Sequence, residues 1–247
     1  VDIVVDIGNT RVKWGSCVDG RLERVSPLRA DEADWDCAAA EWGLRSGDPS
    51  VRWFIAGVVP AIVQRLSNWA RRHWAGVRVL TAADLPLHVH VPEPEKAGID
   101  RLLGAVAVEA LSPGRRTLVV DCGSAVTINL VDEGFRGGAI LPGLRLLGAA
   151  LHDQTALLPL VDVPGPVEYP GRDTRSAIQA GLCAVVGGAV ERIANEVGPA
   201  GIIFTGGDGD LVRQLVRGLW EKRYEPWLNL NGIIQAVRSL DGRGPPD

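Results

Sequence analysis

The chain has 247 residues, 46% of them apolar and 23% charged, with a formal net charge of −4. That length suits one large domain or two ordinary ones, and the balance is that of a globular protein. The negative charge argues against nucleic acid as a main partner, and no apolar run approaches the ~18–20 residues that cross a bilayer. The opening strand-like run, with Asp2 and Asp6, does not read as a signal peptide. Cys17, Cys37, Cys122 and Cys183 are dispersed without a Cys-x-x-Cys pair, which suggests reduced, buried thiols in a cytoplasmic protein.

In chain order, 1–6, 11–18 and 21–26 read as strands, the last two joined by a hairpin at Asp19-Gly20. A helix is expected over 32–45, closed by Gly47-Asp48-Pro49. Then follow a strand at 51–56, a helix at 60–74 with Pro60 in its first turn, and a strand at 77–80. Residues 85–97 hold three prolines and read as a loop. Helical periodicity resumes over 98–111 until Ser112-Pro113-Gly114 breaks it. The order then repeats, with strands at 117–121, 126–131 and 135–140 and a helix at 144–158. A proline-rich connection leads to a long helix near 174–197. A strand at 201–205, a helix at 211–217, a strand near 227–230 and a helix near 233–240 follow. The tail 241–247 is expected to fray.

Two segments are near copies: Val4-Val5-Asp6-Ile7-Gly8-Asn9-Thr10 and Val119-Val120-Asp121-Cys122-Gly123-Ser124-Ala125. Each is an apolar run ending in Asp-x-Gly, followed by a second strand and a turn. A duplication at half the chain length predicts an α/β protein of two similar lobes, 1–112 and 113–247, with a cleft between them.

Asp6 at a strand end can hold Mg²⁺, Gly8 permits a tight turn, and Asn9 and Thr10 can offer donors to phosphate oxygens. Arg11 and Lys13 share a strand face, from which a lysine reaches a phosphate. An ordinary hairpin with a solvated basic edge fits this segment alone equally well; the second copy favours nucleotide. Asp121 can bind a cation and Ser124 can donate to phosphate, or the copy keeps only the turn. Gly98-Ile99-Asp100-Arg101 opens a helix, where Asp100 can serve as a general base and Arg101 can pair a carboxylate. By residue type alone, Asp100 as an N-terminal helix cap is the stronger reading. Gly137-Gly138 can bring backbone close to a ligand or ease packing, Thr174 can place a hydroxyl at a ligand or cap its helix, and Thr205-Gly206-Gly207-Asp208 suits the passage of an adenine or ribose over bare backbone or a plain strand-to-helix turn. His88 and His90 read as loop surface, and the eight Trp as core or interface.

The ordered set Asp-Ile-Gly-Asn-Thr, Gly-Ile-Asp-Arg, Asp-Cys-Gly-Ser-Ala-Val-Thr, Gly-Gly-Ala-Ile-Leu-Pro-Gly, Gly-Arg-Asp-Thr and Thr-Gly-Gly, running from Asp6 to Gly207, resembles the type III pantothenate kinases. The resemblance implies the sugar kinase/actin superfamily, with duplicated ribonuclease-H-like (actin-like ATPase) lobes. It implies ATP-dependent phosphorylation of pantothenate to 4′-phosphopantothenate, the first step of coenzyme A synthesis. By motif match, Asp6, Ile7, Gly8, Asn9, Thr10, Arg11, Val12, Lys13 and Ser124 would bind ATP with Mg²⁺. Asp100 would be the catalytic base, Gly98, Ile99, Asp100, Arg101 and Thr174 would bind pantothenate, and Asp121 would hold K⁺ or NH₄⁺. A homodimer is implied as well. Val91 stands where the family usually has Tyr and Asn129 where it has Asp, which keeps a nucleotide-binding regulatory homologue as the alternative.

Overall fold

A computed structural model describes residues 1–29 and 34–242. It divides into two compact units: Val1–Pro113 with the segment from Leu228 onward, and Gly114–Trp227.

The first unit contains β1 (Asp2–Ile7), β2 (Arg11–Val18), β3 (Arg21–Arg29), α1 (Trp35–Glu41), β4 (Arg52–Gly57), α2 (Pro60–His73), β5 (Gly76–Val79) and α3 (Ile99–Leu111). Its sheet order is β3-β2-β1-β4-β5, with β1 antiparallel to β2 and parallel to β4. The second unit contains β6 (Thr117–Cys122), β7 (Ala125–Val131), β8 (Phe135–Pro142), α4 (Leu144–Asp153), α5 (Thr174–Val197), β9 (Gly201–Thr205), α6 (Gly209–Leu215) and β10 (Glu221–Tyr224). Its order, β10-β9-β6-β7-β8, is the same arrangement read from the other edge. The duplication read from the sequence is therefore a duplication of topology. Both hairpins turn where expected, with positive φ at Asp19 and Gly20 and at Glu133 and Gly134. Positive φ at two successive positions matches the right-handed strand twist that tight hairpins need.

In β1, Ile3, Val5 and Ile7 face a core that contains Trp14, Trp35, Trp53, Trp69 and Trp74, with Trp42 at its margin. The rings meet edge-on or tilted, for example Trp14 and Trp53 with centroids 4.9 Å apart at 85°. Such geometry suits the ring quadrupoles. Of the two roles the sequence suggests, core or interface, these six tryptophans take the first.

Several expectations need correction. The helix expected over 32–45 spans Trp35–Glu41, and residues 30–33 lie outside the described set. Cys37 is exposed, although the other three cysteines are buried. α5 is long and apolar enough to cross a membrane by length and composition. Its stripe of Ile178, Leu182, Val186, Val190 and Ala194 instead packs into the core of the second sheet. No strand forms at 227–230; the pairing strand is β10, and α7 (Leu228–Leu240) begins where that strand was expected.

The boundary expectation placed all of 113–247 in one lobe, yet α7 packs with the first unit. Gly232 explains how: a Cβ there would strike the backbone of Leu103 on α3, so the two helices touch main chain to main chain. Leu230 reaches the Val4–Gly15 region of β1 and β2. At the far end Arg52 holds Asp2 at 2.7 Å and Asp241 at 2.9 Å, binding the start of β1 and β4 to the end of α7. Asp241 is thus anchored rather than frayed, and residues 243–247 lie outside the described set.

Candidate active site

The first unit brings Asp6, near the end of β1, within electrostatic reach of Asp100 at the start of α3. Asp6 and Lys13 are register partners across β1 and β2, and Lys13 Nζ lies 3.1 Å from Asp6 Oδ2. Asp6 is 3% exposed, so its charge is held inside the unit beside its lysine. The Gly8 N–H donates to the Arg11 carbonyl at 3.0 Å and closes the connecting loop. Gly8 keeps a negative φ, and a Cβ there would meet only the Arg11 carbonyl at 3.5 Å. The loop is tight because of that hydrogen bond, not because glycine is required. Asn9, Thr10 and Arg11 are exposed at its tip. Ile7 and Val12 are fully buried in the tryptophan core, so only their backbone can face a ligand.

α3 begins with Gly98 at the N-cap position, making no side-chain cap bond, and Asp100 sits inside the first turn. The cap reading of Asp100 is therefore set aside. Its Oδ1 accepts the Arg101 N–H at 2.9 Å, and a Cβ on Gly98 would come within 2.6 Å of that oxygen. Glycine at 98 leaves room for the carboxylate to lie over the helix start. Burial pushes the Asp100 carboxyl above the usual range. The Arg101 N–H opposes that shift, the nearby Asp6 charge adds to it, and the Arg101 guanidinium opposes it. Burial also lowers Arg101, against the pull of Asp100. Asp6 and Asp100, far apart in sequence, thus lie close enough to feel each other. A cation suits such a like-charge pair, because it relieves the repulsion.

In the second unit, β6 ends at the copy of this hairpin. The Gly123 N–H donates to the Ala125 carbonyl at 3.0 Å, and the Gly143 N–H donates to the Ser124 carbonyl at 3.0 Å. A Cβ at Gly143 would lie 2.7 Å from the Ser124 carbonyl, so this glycine lets the loop settle against the start of α4. Gly206, at φ 86°, leaves room for the Asp121 carboxylate, whose Oδ1 would lie 2.6 Å from an added Cβ. Asp208 donates its N–H to the Cys122 carbonyl at 3.1 Å, and the Tyr224 hydroxyl donates to the Gly206 carbonyl at 3.1 Å. Burial raises the Cys122 thiol well above its ordinary range, helped by Asp121 and Asp208.

Asp208, which the sequence places in the Thr205-Gly206-Gly207-Asp208 turn, supports this loop through its backbone. Sequence reasoning missed Tyr224, whose signal is slight: one tyrosine on a charged edge strand.

Asn129 is 1% exposed and donates to Thr127 Oγ1 at 3.0 Å; Thr127 is the register partner of Asp121. The amide therefore braces the residue opposite Asp121 without burying another charge. Gly138 allows a close approach of strand to strand, since a Cβ would meet Asn129 Cα of β7 at 2.8 Å. At the start of α5, Asp173 is the cap and accepts from the Ser176 N–H at 2.9 Å. Thr174 is exposed and is not the capping residue. No group of three or more His, Cys, Asp or Glu with metal-holding geometry occurs among the described residues.

Within the first unit, the β1–β2 loop can hold an anion and a cation near the Asp100 carboxylate, and the second unit carries a copy of that loop; such a set suits phosphoryl transfer. Comparison with known proteins agrees. The sequence model of the family described as type III pantothenate kinase matches residues 3–196. The type III pantothenate kinase of Synechococcus elongatus is 33% identical, over 96% of this chain and 97% of its own length. That of Thermus thermophilus is 34% identical over 86% and 90%. A solved structure of a Baf-family protein from Campylobacter jejuni shares the fold, with a TM-score of 0.65, 19% identity, and coverage of 97% of this chain and 99% of that one. With the Asp-x-Gly loops, the duplicated sheets and this match over most of its length, the chain belongs to the type III pantothenate kinase family.

Proposed function

We propose that this chain transfers the γ-phosphoryl group of ATP to the primary hydroxyl of pantothenate, giving 4′-phosphopantothenate, the first step of coenzyme A synthesis, in the cytoplasm. The observation that carries the reading is the partly buried Asp100, held over a helix N-terminus within the field of Asp6. In this reading the pantothenate hydroxyl oxygen bonds to the γ-phosphorus, the bond from that phosphorus to the ADP oxygen breaks, and Asp100 receives the hydroxyl proton. The β1–β2 loop from Asp6 to Lys13 and Ser124 hold the phosphates. Gly98, Ile99, Arg101 and Thr174 place pantothenate, with Arg101 facing its carboxylate. Asp6 would hold Mg²⁺, which when bound neutralises phosphate charge. Lys13 then turns from Asp6 to the phosphates, a short movement for a flexible side chain. Phosphoryl transfer relies on such positioning more than on covalent chemistry.

Asp121, with space kept for it by Gly206, is the proposed seat of K⁺ or NH₄⁺. A homodimer is proposed through the second unit, where Ile140 on edge strand β8 is 63% exposed and Leu146, Leu151 and Val185 are also uncovered. Exposed apolar groups of this kind suit an interface.

A coupled ADP-release assay with ATP, Mg²⁺ and K⁺, with and without pantothenate, tests the reading. Pantothenate-dependent ADP is the expected result, and it should fall when K⁺ is left out. ATP binding without pantothenate-dependent ADP would instead support the regulatory homologue. A second expectation concerns pH. Asp100 must be ionised to accept a proton, and burial raises its pKa. The acid limb of kcat/KM should therefore have its midpoint above the ~3.9 of a free aspartate. A limb at or below that value in a pH–rate profile would remove Asp100 from the role.

A further inference from the structure

The start of β1, at the opposite end of the strand from Asp6, borders a cavity of about 290 Å³. Ile3, Ser16 and Arg24 are register partners across β1, β2 and β3 and so project from one face. Farther along the sheet, that face is covered by the tryptophan core. Here the cover stops, because α1 ends at Glu41 and the chain turns at Gly43 with φ 67°. Trp42, Leu44 and Arg45 form the opposite wall.

The wall carries charge on a fixed frame. Arg24 lies 4.9 Å over the Trp42 ring and donates to the Glu41 carbonyl at 3.2 Å. Arg45 adds a second guanidinium. The carboxylate in the lining, Asp48, is already committed to Ser50, whose N–H and hydroxyl donate to it at 2.9 Å and 2.6 Å. Those bonds hold its carboxyl below the usual range. The cavity is thus apolar in its body and positive in its balance. Its volume is near the lower end, roughly 300 Å³, of sites that take small organic ligands.

We propose that this cavity binds a small aryl anion, a carboxylate or phosphate monoester. The ring rests on Val18 and Leu44, and the anionic group is drawn to Arg24 and Arg45. The site is separate from the Asp6 and Asp100 carboxylates and calls for no part of the kinase chemistry.

Calorimetric titration of phenyl phosphate and of benzoate into the full chain, with MgADP saturating, tests it. Benzyl alcohol serves as the neutral comparator. One saturable site for each anion and none for the alcohol is expected. Affinity should drop at least tenfold in Arg45→Ala and vanish in Ser16→Leu, whose side chain fills the cavity. Arg45→Ala is a surface truncation that leaves the core intact, so it remains informative if Ser16→Leu fails to fold. Absence of saturable anion binding, equal binding of benzyl alcohol, or unchanged affinity in Arg45→Ala would overturn the proposal.

Discussion

Asp100→Asn is expected to lower kcat by about 10²–10⁴-fold, the usual loss when a positioned proton acceptor is removed. ATP affinity should change little, because the β1–β2 loop is untouched. The variant should also fold, since Asn keeps an oxygen for the Arg101 N–H and the cap is Gly98. Stability gives an independent check. The folded-state pKa of Asp100 is raised, so the native chain holds this proton more tightly than the unfolded chain does. As pH rises through the raised value, ionising the buried group costs stability. At pH 8 the Asn variant should therefore melt at or above the parent, and the difference should shrink toward pH 4. Lost folding at neutral pH, or turnover within threefold of the parent, would contradict the assigned role.

The second large effect is expected at Gly232. An alanine there would place its Cβ against Leu103 backbone, with the carbonyl carbon at 2.7 Å and Cα at 3.0 Å. Neither is the far end of a flexible side chain that could swing aside, so α7 would have to lift from α3. Overpacking of this kind costs about 3 kcal/mol, at the upper end of the ordinary range. That corresponds to a Tm roughly 6–12 °C lower. Asn231→Ala on the same helix should shift Tm far less, since it gains helix propensity and meets no such wall. Thermal unfolding of the two variants side by side decides the matter: equal melting temperatures would mean that the helices do not rely on bare backbone at this crossing.

Much of the fold is legible because its punctuation is local. Asp19-Gly20 and Glu133-Gly134 fix both hairpins, and the apolar runs before Asp6 and Asp121 can only be inner strands. β10 is hidden for the opposite reason. Glu221-Lys222-Arg223-Tyr224 carries its charges on an edge, where half-solvated alternation looks like loop. The sequence shows only the later part of α7, near 233–240, to be a helix, and which unit it joins depends on Gly232 meeting Leu103, a pairing that no local pattern encodes. At the site, motif order singles out Asp100 as the proposed base, while residue type alone reads it as a cap; the backbone at Gly98 sets the cap reading aside. The tight turn expected of Gly8 proved to rest on a hydrogen bond, and the glycines that space requires, Gly143 and Gly206, lie in the neighbouring loops.

The excursion of the chain through Gly114–Trp227 before α7 returns to the first sheet sets an order of assembly. On the ribosome, the inserted half is complete and free to collapse while its predecessor still lacks a wall. Residues 1–113 wait with the side of β1 around Val4 and the apolar stripe of α3 uncovered until Leu228–Leu240 has emerged. The half synthesised first is thus the half finished last, and a chain stalled before Leu228 leaves it open to aggregation.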